Sequence, residues 1–595
     1  MLYPKMNNAR CVFSLDGLWK FKLLENGETY VPGTVLEDFE WLSVPASYND
    51  QKEIPGFRRF AGLSVYQREF TMPAMLLHQR QVIRFDAVAN ECTVYINEKE
   101  LTHHKGGYLP FEAELTSLNL PGETFLITVV VDNRVNSSTL PVGNEKKNGA
   151  FFGSDNAQVP AVQKGKEYQA DINLPNFDFF NYAGINRPVR IYTTPFEHIE
   201  DITIVTDIAE NGDGIIHYDI TVTGAVPFVS LGIFDENGNN VANATGSKGT
   251  IAISNPLLWA PGKENAHLYT AHISFKDDCY DQTFGIRTVE VKDKKFLING
   301  KPFYFKGFGK HEDFHVLGRG FNLALDVKDI GLINWIGANS FRTSHYPYAE
   351  EMYDLCDREG IIIIDETTAV GVAAQRRNPY SELHIKEHHE QVLADLIARD
   401  KNHPCVVMWS LGNEPDTENH PKAALEYWSA LYKMAHELDP QNRPVTMVCC
   451  QNDYTRDLTT RTMDVVCLNR YYGWYNLSGD LDAAMYALNI ELDFWEEQNK
   501  PVMFTEYGAD AYPGIHNTVP EMFSEEFQAE LLMEFGKQFD KRDFIVGEQM
   551  WNFADFGTIQ GPMRVDGNKK GLFTRERRPK LAAHAMRQRW GNMNK

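Results

Sequence analysis

The 595-residue chain has no long apolar run. Nothing in it approaches the ~18 consecutive apolar residues of a spanning helix, and the opening MLYPKMNNARCVFSLDGLW holds no apolar stretch long enough for a signal-peptide core. The expectation is a soluble, cytoplasmic protein with no membrane partner. Cysteine is scarce too: eight residues, Cys11, Cys92, Cys279, Cys356, Cys405, Cys449, Cys450 and Cys467, with no CxxC and no paired framework. That excludes a disulfide scaffold and points to reduced, buried thiols. Basic residues are the minority, 58 against 81 acidic, and the net charge of −23 argues against nucleic acid or an anionic membrane as partner. At first sight it also argues against a small anionic substrate. Matches to the glycosylation sequon at Asn136, Asn243 and Asn476 carry no weight without a secretory signal.

What is present is core material: 43% hydrophobic, 12% aromatic and 23% charged residues describe neither a disordered nor a collagen-like chain. At about 150 residues per domain the length suggests roughly four domains, or three if one is a barrel. Residues 1–196 are short β-type runs parted by turn residues. Cys92 to Asn97 alternates apolar with more polar positions and FLITVVVDN (125–133) is β-branched, the pattern of a half-buried sandwich. Residues 197–291 repeat the style, with Ile220 and Val222 alternating with Thr221 and Thr223, at a size that suits an immunoglobulin-like sandwich.

The pattern changes near residue 292. FYFKG (303–307), NSFRTS (339–344), IIIIDE (361–366), VVMWSLGNE (406–414), PVTMV (444–448), DVVCLNRY (464–471), VMFTE (502–506) and IVGEQMWNF (545–553) alternate with helical stretches. One such stretch places Ala424, Leu425, Trp428, Leu431, Ala435 and Leu438 on a single face. Eight strands within residues 292–595 predict a (β/α)₈ TIM barrel, in which chemistry sits at the C-terminal strand ends. Those ends carry Arg342, His345, Asp365, Glu366, Asn413, Glu414, Asn469, Tyr471, Glu506, Glu548 and Trp551. A carboxylate closing an apolar strand is costly to bury unless paired. Glu414 and Glu506 each follow such a run, and two carboxylates across one mouth are what glycosidic cleavage needs. Structural ion pairing is the alternative for any one of them, and barrel position does not say which Glu would be acid and which nucleophile.

WSLGNEP (409–415) and FTEYG (504–508) resemble the acid/base and nucleophile motifs of glycoside hydrolase family 2. The same family is resembled by LDGLWKF (15–21), NYAGINRPV (181–189), GIRTVEV (285–291), GKPFYFKGFGKHEDF (300–314), FRTSHYPYAEEMYDLCDREGIIIIDE (341–366) and NRYYGWY (469–475), in the order jelly-roll-like β-sandwich, immunoglobulin-like β-sandwich, TIM barrel. The resemblance implies Glu414 as general acid/base, Glu506 as nucleophile and retention at the anomeric carbon. Glu414 then needs a raised pKa and Glu506 donors that keep it ionised. Arg342 and Tyr471 resemble the donors beside the nucleophile, and Asn413 the residue on the sugar 2-hydroxyl; Asn469 closes the sixth strand. The resemblance also implies a homo-oligomer and no cofactor.

Residues 562–580, PMRVDGNKKGLFTRERRPK, hold seven cationic and two anionic side chains, a local +5 in a chain of −23. A cationic run is ordinarily a solvated face, but this one follows the eighth strand and is expected at a wet barrel mouth. Asn568-Lys569-Lys570 resembles the Asn-x-Lys signature with which β-glucuronidases of this family hold the sugar carboxylate, and Arg564 adds a second charge. A fixed ammonium and amide also reject a neutral sugar, which leaves them unpaired. Asp178, His345, Tyr475 and Trp551 match sugar-lining positions by the same resemblance; Asp178 reads equally as a turn-former, and the aromatics as core. The expected activity is hydrolysis of small-molecule glucuronides. The rivals are a β-galactosidase or β-mannosidase of the family and a non-catalytic carbohydrate-binding protein. The segment 371–386 is shorter than the active-site loop of some bacterial β-glucuronidases, which implies a more open mouth.

Other signals are set aside. His311-Glu312-Asp313-Phe314-His315 matches HExxH but follows a strand and a Gly-rich turn, so no metal is assigned. His384, His388 and His389 read as a solvated helix face beside Lys386, Glu387 and Glu390.

Overall fold

The computed structural model describes residues 1–144, 171–224, 228–374, 377–450 and 453–593. Among the described residues, those between Val12 and Thr194 form two larger antiparallel sheets and a short pair, Val88–Ala89 with Gly184–Ile185. The six-stranded sheet runs Glu40–Val44, Gly17–Leu23, Leu63–Thr71, Thr124–Asp132, Glu91–Ile96, Lys99–Lys105, and the four-stranded one Val12–Ser14, Val189–Thr194, Arg80–Phe85, Phe111–Glu114. Alternation decides the packing: Cys92, Val94 and Ile96 turn inward with Trp19, Phe21, Ile127 and Ile191, while Glu91, Thr93 and Tyr95 are half-buried. A three-stranded and a four-stranded sheet follow between Ile199 and Phe284, seven antiparallel strands around Ile202, Ile216, Ile233 and Ile273.

After a small antiparallel sheet of Val289–Lys292, Lys295–Ile298 and Lys301–Pro302, the described residues form a closed parallel barrel. Its strands are β1 Phe305–Gly309, β2 Ser340–Arg342, β3 Ile362–Glu366, β4 Val406–Asn413, β5 Val445–Cys449, β6 Val466–Asn469, β7 Val502–Glu506 and β8 Ile545–Met550. All eight overlap the runs read from the sequence, the first displaced by two residues, 305–309 against 303–307. Every residue of β3 and β4 is buried, as strands covered on both faces require. The covering helices are α1 Leu323–Ile336, α2 Glu350–Glu359, α3 Pro379–Glu382, α4 Lys386–Asp400, α5 Pro421–Leu438, α6 Leu481–Glu497, α7 Glu525–Phe539 and α8 Leu581–Asn592. Between β5 and β6 the described residues form only a 3₁₀ turn, Thr460–Thr462. On α5, Ala424, Trp428, Leu431 and Ala435 are buried as the spacing required, whereas Leu438, at the helix end, is exposed. No helix among the described residues is long and apolar enough to cross a membrane.

The α4 histidines correct the solvated-face reading. His384 is exposed, but His389 is fully buried, with Nε2 2.9 Å from the Leu411 carbonyl and Nδ1 3.0 Å from the Tyr427 hydroxyl. Neighbouring Lys and Glu residues concealed the helix's inward face.

The first sandwich closes against the barrel mouth. Arg187 donates to the Tyr108 and Pro347 carbonyls and to Glu312; Asn176 donates to Gly371 O at 2.7 Å, and Phe180 N to Gly557 O at 2.9 Å. These contacts carry residues 176–180, Asp178 included, to the C-terminal ends of the strands. At the opposite end, His403 before β4 lies 2.6 Å from Asp357 of α2. Burial depresses the imidazole, but Asp357 outweighs it and holds the pKa up to about 9. A pKa raised on folding stabilises the fold fully below the ordinary value of about 6.5 and is lost as pH climbs through 9, for at most ~3 kcal/mol. His403→Gln is expected to lower the melting temperature most at pH 6 and least above pH 9; a deficit independent of pH would refute the ionic account.

Candidate active site

Glu506 ends β7 and Glu414 follows β4, and both line one cavity of about 370 Å³ at the mouth. Each has a distinct set of partners. The Glu506 carboxylate accepts from Arg342 Nη2 at 2.5 Å and from the Tyr471 hydroxyl at 2.6 Å. Arg342, fully buried at the end of β2, is held by its other terminal nitrogen, Nη1, which donates to Glu366 at 2.6 Å; Ser410 donates to the second oxygen of that carboxylate. Glu366 is therefore the anchor that lets a buried guanidinium serve Glu506 without swinging. Glu414 accepts from Asn469 Nδ2 at 2.8 Å, and Asn469 is fixed in turn by the Thr505 hydroxyl. Its backbone is left-handed, φ 51°, a conformation costly for a residue with a Cβ and one that concentrates at functional sites.

Burial pushes both carboxyls upward: Glu414 against the Asn469 amide, and Glu506 to about 8 against Arg342, with the Glu414 charge adding to the rise. For Glu506 this departs from the ionised state expected of a nucleophile. The two groups titrate as a pair, and the donors decide where a single shared proton sits. A guanidinium and a phenol on Glu506 favour its carboxylate, whereas Glu414 has one amide, so the singly protonated pair carries its proton on Glu414. His345 stacks on Trp551, ring centroids 4.9 Å apart, and is kept neutral by burial and by Arg342.

The cationic segment reaches the same cavity. Arg564 Nε donates to both oxygens of Asp178, at 2.7 and 3.0 Å, and Asn568 Nδ2 donates to Asp178 at 2.8 Å. Arg564 Nη2 and Lys570 Nζ each donate to the Tyr475 hydroxyl at 3.0 Å, which turns that hydroxyl's own proton outward. Asp178, His345, Asn413, Glu414, Tyr471, Tyr475, Glu506, Trp551, Arg564 and Asn568 thus share one cavity wall; Arg342, Asn469 and Lys570 stand directly behind it. The wet-mouth expectation is corrected: Asn568 is 0% and Lys570 1% exposed. The segment folds inward because Lys570 meets Asp510, 2.5 Å away. Truncating Lys570 would strand a buried carboxylate, so the change would not be neutral to the fold.

Asp510 was not legible: four residues past Glu506 in a loop, it looks like a turn aspartate until its partner, 60 positions on, is seen. Two other strand-end acids turn away from the cavity. Asp365 accepts from Tyr353 and Thr343, and Glu548 from Arg589 and Trp590; neither lines the cavity. The segment His311 to His315 is not helical. Of 371–386, residues 375 and 376 lie outside the described residues.

Sandwich, immunoglobulin-like sandwich and barrel, with two carboxylates at the barrel mouth, define a multidomain glycoside hydrolase. Residues 12–195 match the description "Glycosyl hydrolases family 2, sugar binding domain", 197–287 "Glycosyl hydrolases family 2", and 289–595 "Glycosyl hydrolases family 2, TIM barrel domain". The chain belongs to glycoside hydrolase family 2. It is 43% identical to a β-glucuronidase of Paenibacillus borealis over 609 residues, covering 100% of this chain and 99% of that protein. Among solved structures it is similar to a Faecalibacterium prausnitzii β-glucuronidase (TM-score 0.96, 57% identity, 100% of this chain and 99% of that one). It is likewise similar to a Bifidobacterium dentium β-glucuronidase complexed with coumarin-3-O-glucuronide (TM-score 0.95, 53% identity, 100% and 99%).

Proposed function

We propose that the protein is a β-glucuronidase that cleaves β-D-glucuronides to glucuronate and an aglycone alcohol, by double displacement with retention as is the norm in its family. In the first step the Glu506 carboxylate forms a bond to the anomeric carbon as the glycosidic C–O bond breaks, and the Glu414 proton passes to the departing oxygen. In the second, water attacks the same carbon, its proton returns to Glu414, and the Glu506 ester bond breaks. Arg342 and Tyr471 receive the charge restored to Glu506. Asn413, Asn469, His345, Trp551 and Asp178 orient the sugar.

The observation that carries the substrate assignment is the cluster of Arg564, Asn568 and Lys570 at the carboxylate pair. Asp178 and Asp510 already hold these donors in place; a substrate carboxylate adds a charge that the two cations attract, an attraction a neutral hydroxymethyl lacks. The test compares an aryl β-D-glucuronide with the matching β-D-galactoside: kcat/KM is expected to favour the glucuronide by on the order of 10⁴-fold. Faster galactoside turnover would overturn the substrate, and turnover of neither would favour a binding protein. A cytoplasmic location and a homo-oligomer complete the proposal, supported by eight unpaired thiols and by the family resemblance.

A further inference from the structure

We propose that Asp510 is a positioning residue of the carboxylate clamp: it fixes the Lys570 ammonium directly behind the cavity wall, against the Tyr475 hydroxyl, so that an arriving sugar carboxylate meets a preformed cation. The proposal rests on the glucuronide reading of the site.

Asp510 is 4% exposed and does not line the cavity. One oxygen accepts from Lys570 Nζ at 2.5 Å, and the other from the Lys569 backbone N–H at 2.8 Å. The carboxylate is thus pinned by the chain it organises. An ammonium has three N–H groups. On Lys570 one goes to Asp510 and one to the Tyr475 hydroxyl, leaving the third for a ligand. Nζ lies 5.1 Å from the Trp474 ring, 4.9 Å from Tyr475 and 5.8 Å from Tyr471, faces that exclude water and favour a cation.

A lysine so enclosed sheds its proton unless a counter-ion opposes burial. The charged and titratable groups facing it are Asp510 from the loop after β7, Tyr471 and Tyr475 from the loop after β6, and Arg564 from its own segment. Burial and Arg564 work against the charge, and Asp510 leads the groups that support it, so that Lys570 stays above its ordinary value. Lys580, also buried and 2.8 Å from Asp555, falls below it. At Lys580 burial outweighs the counter-ion and at Lys570 it does not, and Asp178 serves Arg564 as Asp510 serves Lys570, across Tyr475.

Asp510→Asn keeps shape and the acceptor for Lys569 while removing the charge. With an aryl β-D-glucuronide between pH 6 and 9, the variant is expected to show KM raised about tenfold at pH 7 and kcat within about threefold of wild type. Its KM climbs further with pH, about tenfold per unit once Lys570 loses its proton, while the wild-type KM does not climb in parallel. Asp510→Glu, which keeps the charge, restores the wild-type pH dependence. In a Lys570→Arg background, where the cation does not titrate, Asp510→Asn no longer adds a climb. An unchanged KM, a fall confined to kcat, a rise equal at every pH, or a climb persisting in the Arg background overturns the proposal. An Asp510→Asn chain that does not fold also overturns it, in favour of a purely structural role. A wild-type enzyme without glucuronide turnover refutes the substrate reading instead.

Discussion

Glu506→Ala is expected to lose at least on the order of 10⁴-fold in glucuronide turnover, because no other group in the cavity can form the bond to the anomeric carbon that the first step needs. Arg342 remains paired to Glu366 and the cavity keeps its shape, so the loss is chemical. The variant leaves Arg342 Nη2 and the Tyr471 hydroxyl without their acceptor but removes a carboxyl that burial and Glu414 oppose, so its melting temperature is expected to stay close to that of wild type. External azide occupies the space vacated by the carboxylate and attacks the face opposite the leaving group, with Glu414 still present as acid. The product is an α-glycosyl azide of inverted configuration, identified by NMR of the reaction mixture. A β-azide from this variant, or turnover within tenfold of wild type, would show that Glu506 is not the nucleophile.

Much of this was legible in the sequence because barrel strands announce themselves. IIIIDE, VVMWSLGNE and VMFTE are largely apolar runs closed by an acid, so Glu414 and Glu506 stood out as carboxylates that burial would have to accommodate, with Glu366 among the strand ends beside them. Pairing over distance was not legible. Asp178 meets Arg564 across 386 positions and two domains; a loop aspartate carries no local mark of such a partner. The same blindness hid Asp510 and made Lys570 look solvated, because a basic run reads as exposed until its counter-ions, supplied by another segment, are seen. His389 failed for a related reason: its neighbours are charged, yet one helix face packs on β4. Periodicity reports which face is inward only where that face is apolar.

Glu414→Ala separates the two carboxylates by leaving group and by pH. Expulsion of an alkoxide needs the Glu414 proton, so kcat/KM for an alkyl β-D-glucuronide is expected to fall by ~10³–10⁴-fold. A nitrophenolate departs without assistance, and for that substrate the first step survives while the second, which needs Glu414 as base, does not. Nitrophenol therefore appears as a burst equal to the enzyme, followed by slow turnover, and azide accelerates the slow phase to give a β-glycosyl azide of retained configuration. The pH profile follows from where the shared proton sits. In the wild type, activity is lost at high pH as Glu414, whose carboxyl burial pushes up, gives up the shared proton, and at low pH as Glu506 is protonated. Because Glu414 is neutral throughout the low-pH step, removing it leaves that limb in place; the high-pH limb, which is Glu414's own ionisation, disappears for the nitrophenyl substrate. Rescue with inversion here, or a high-pH limb that persists, would mean that the proton rests on Glu506 and that the two roles are exchanged.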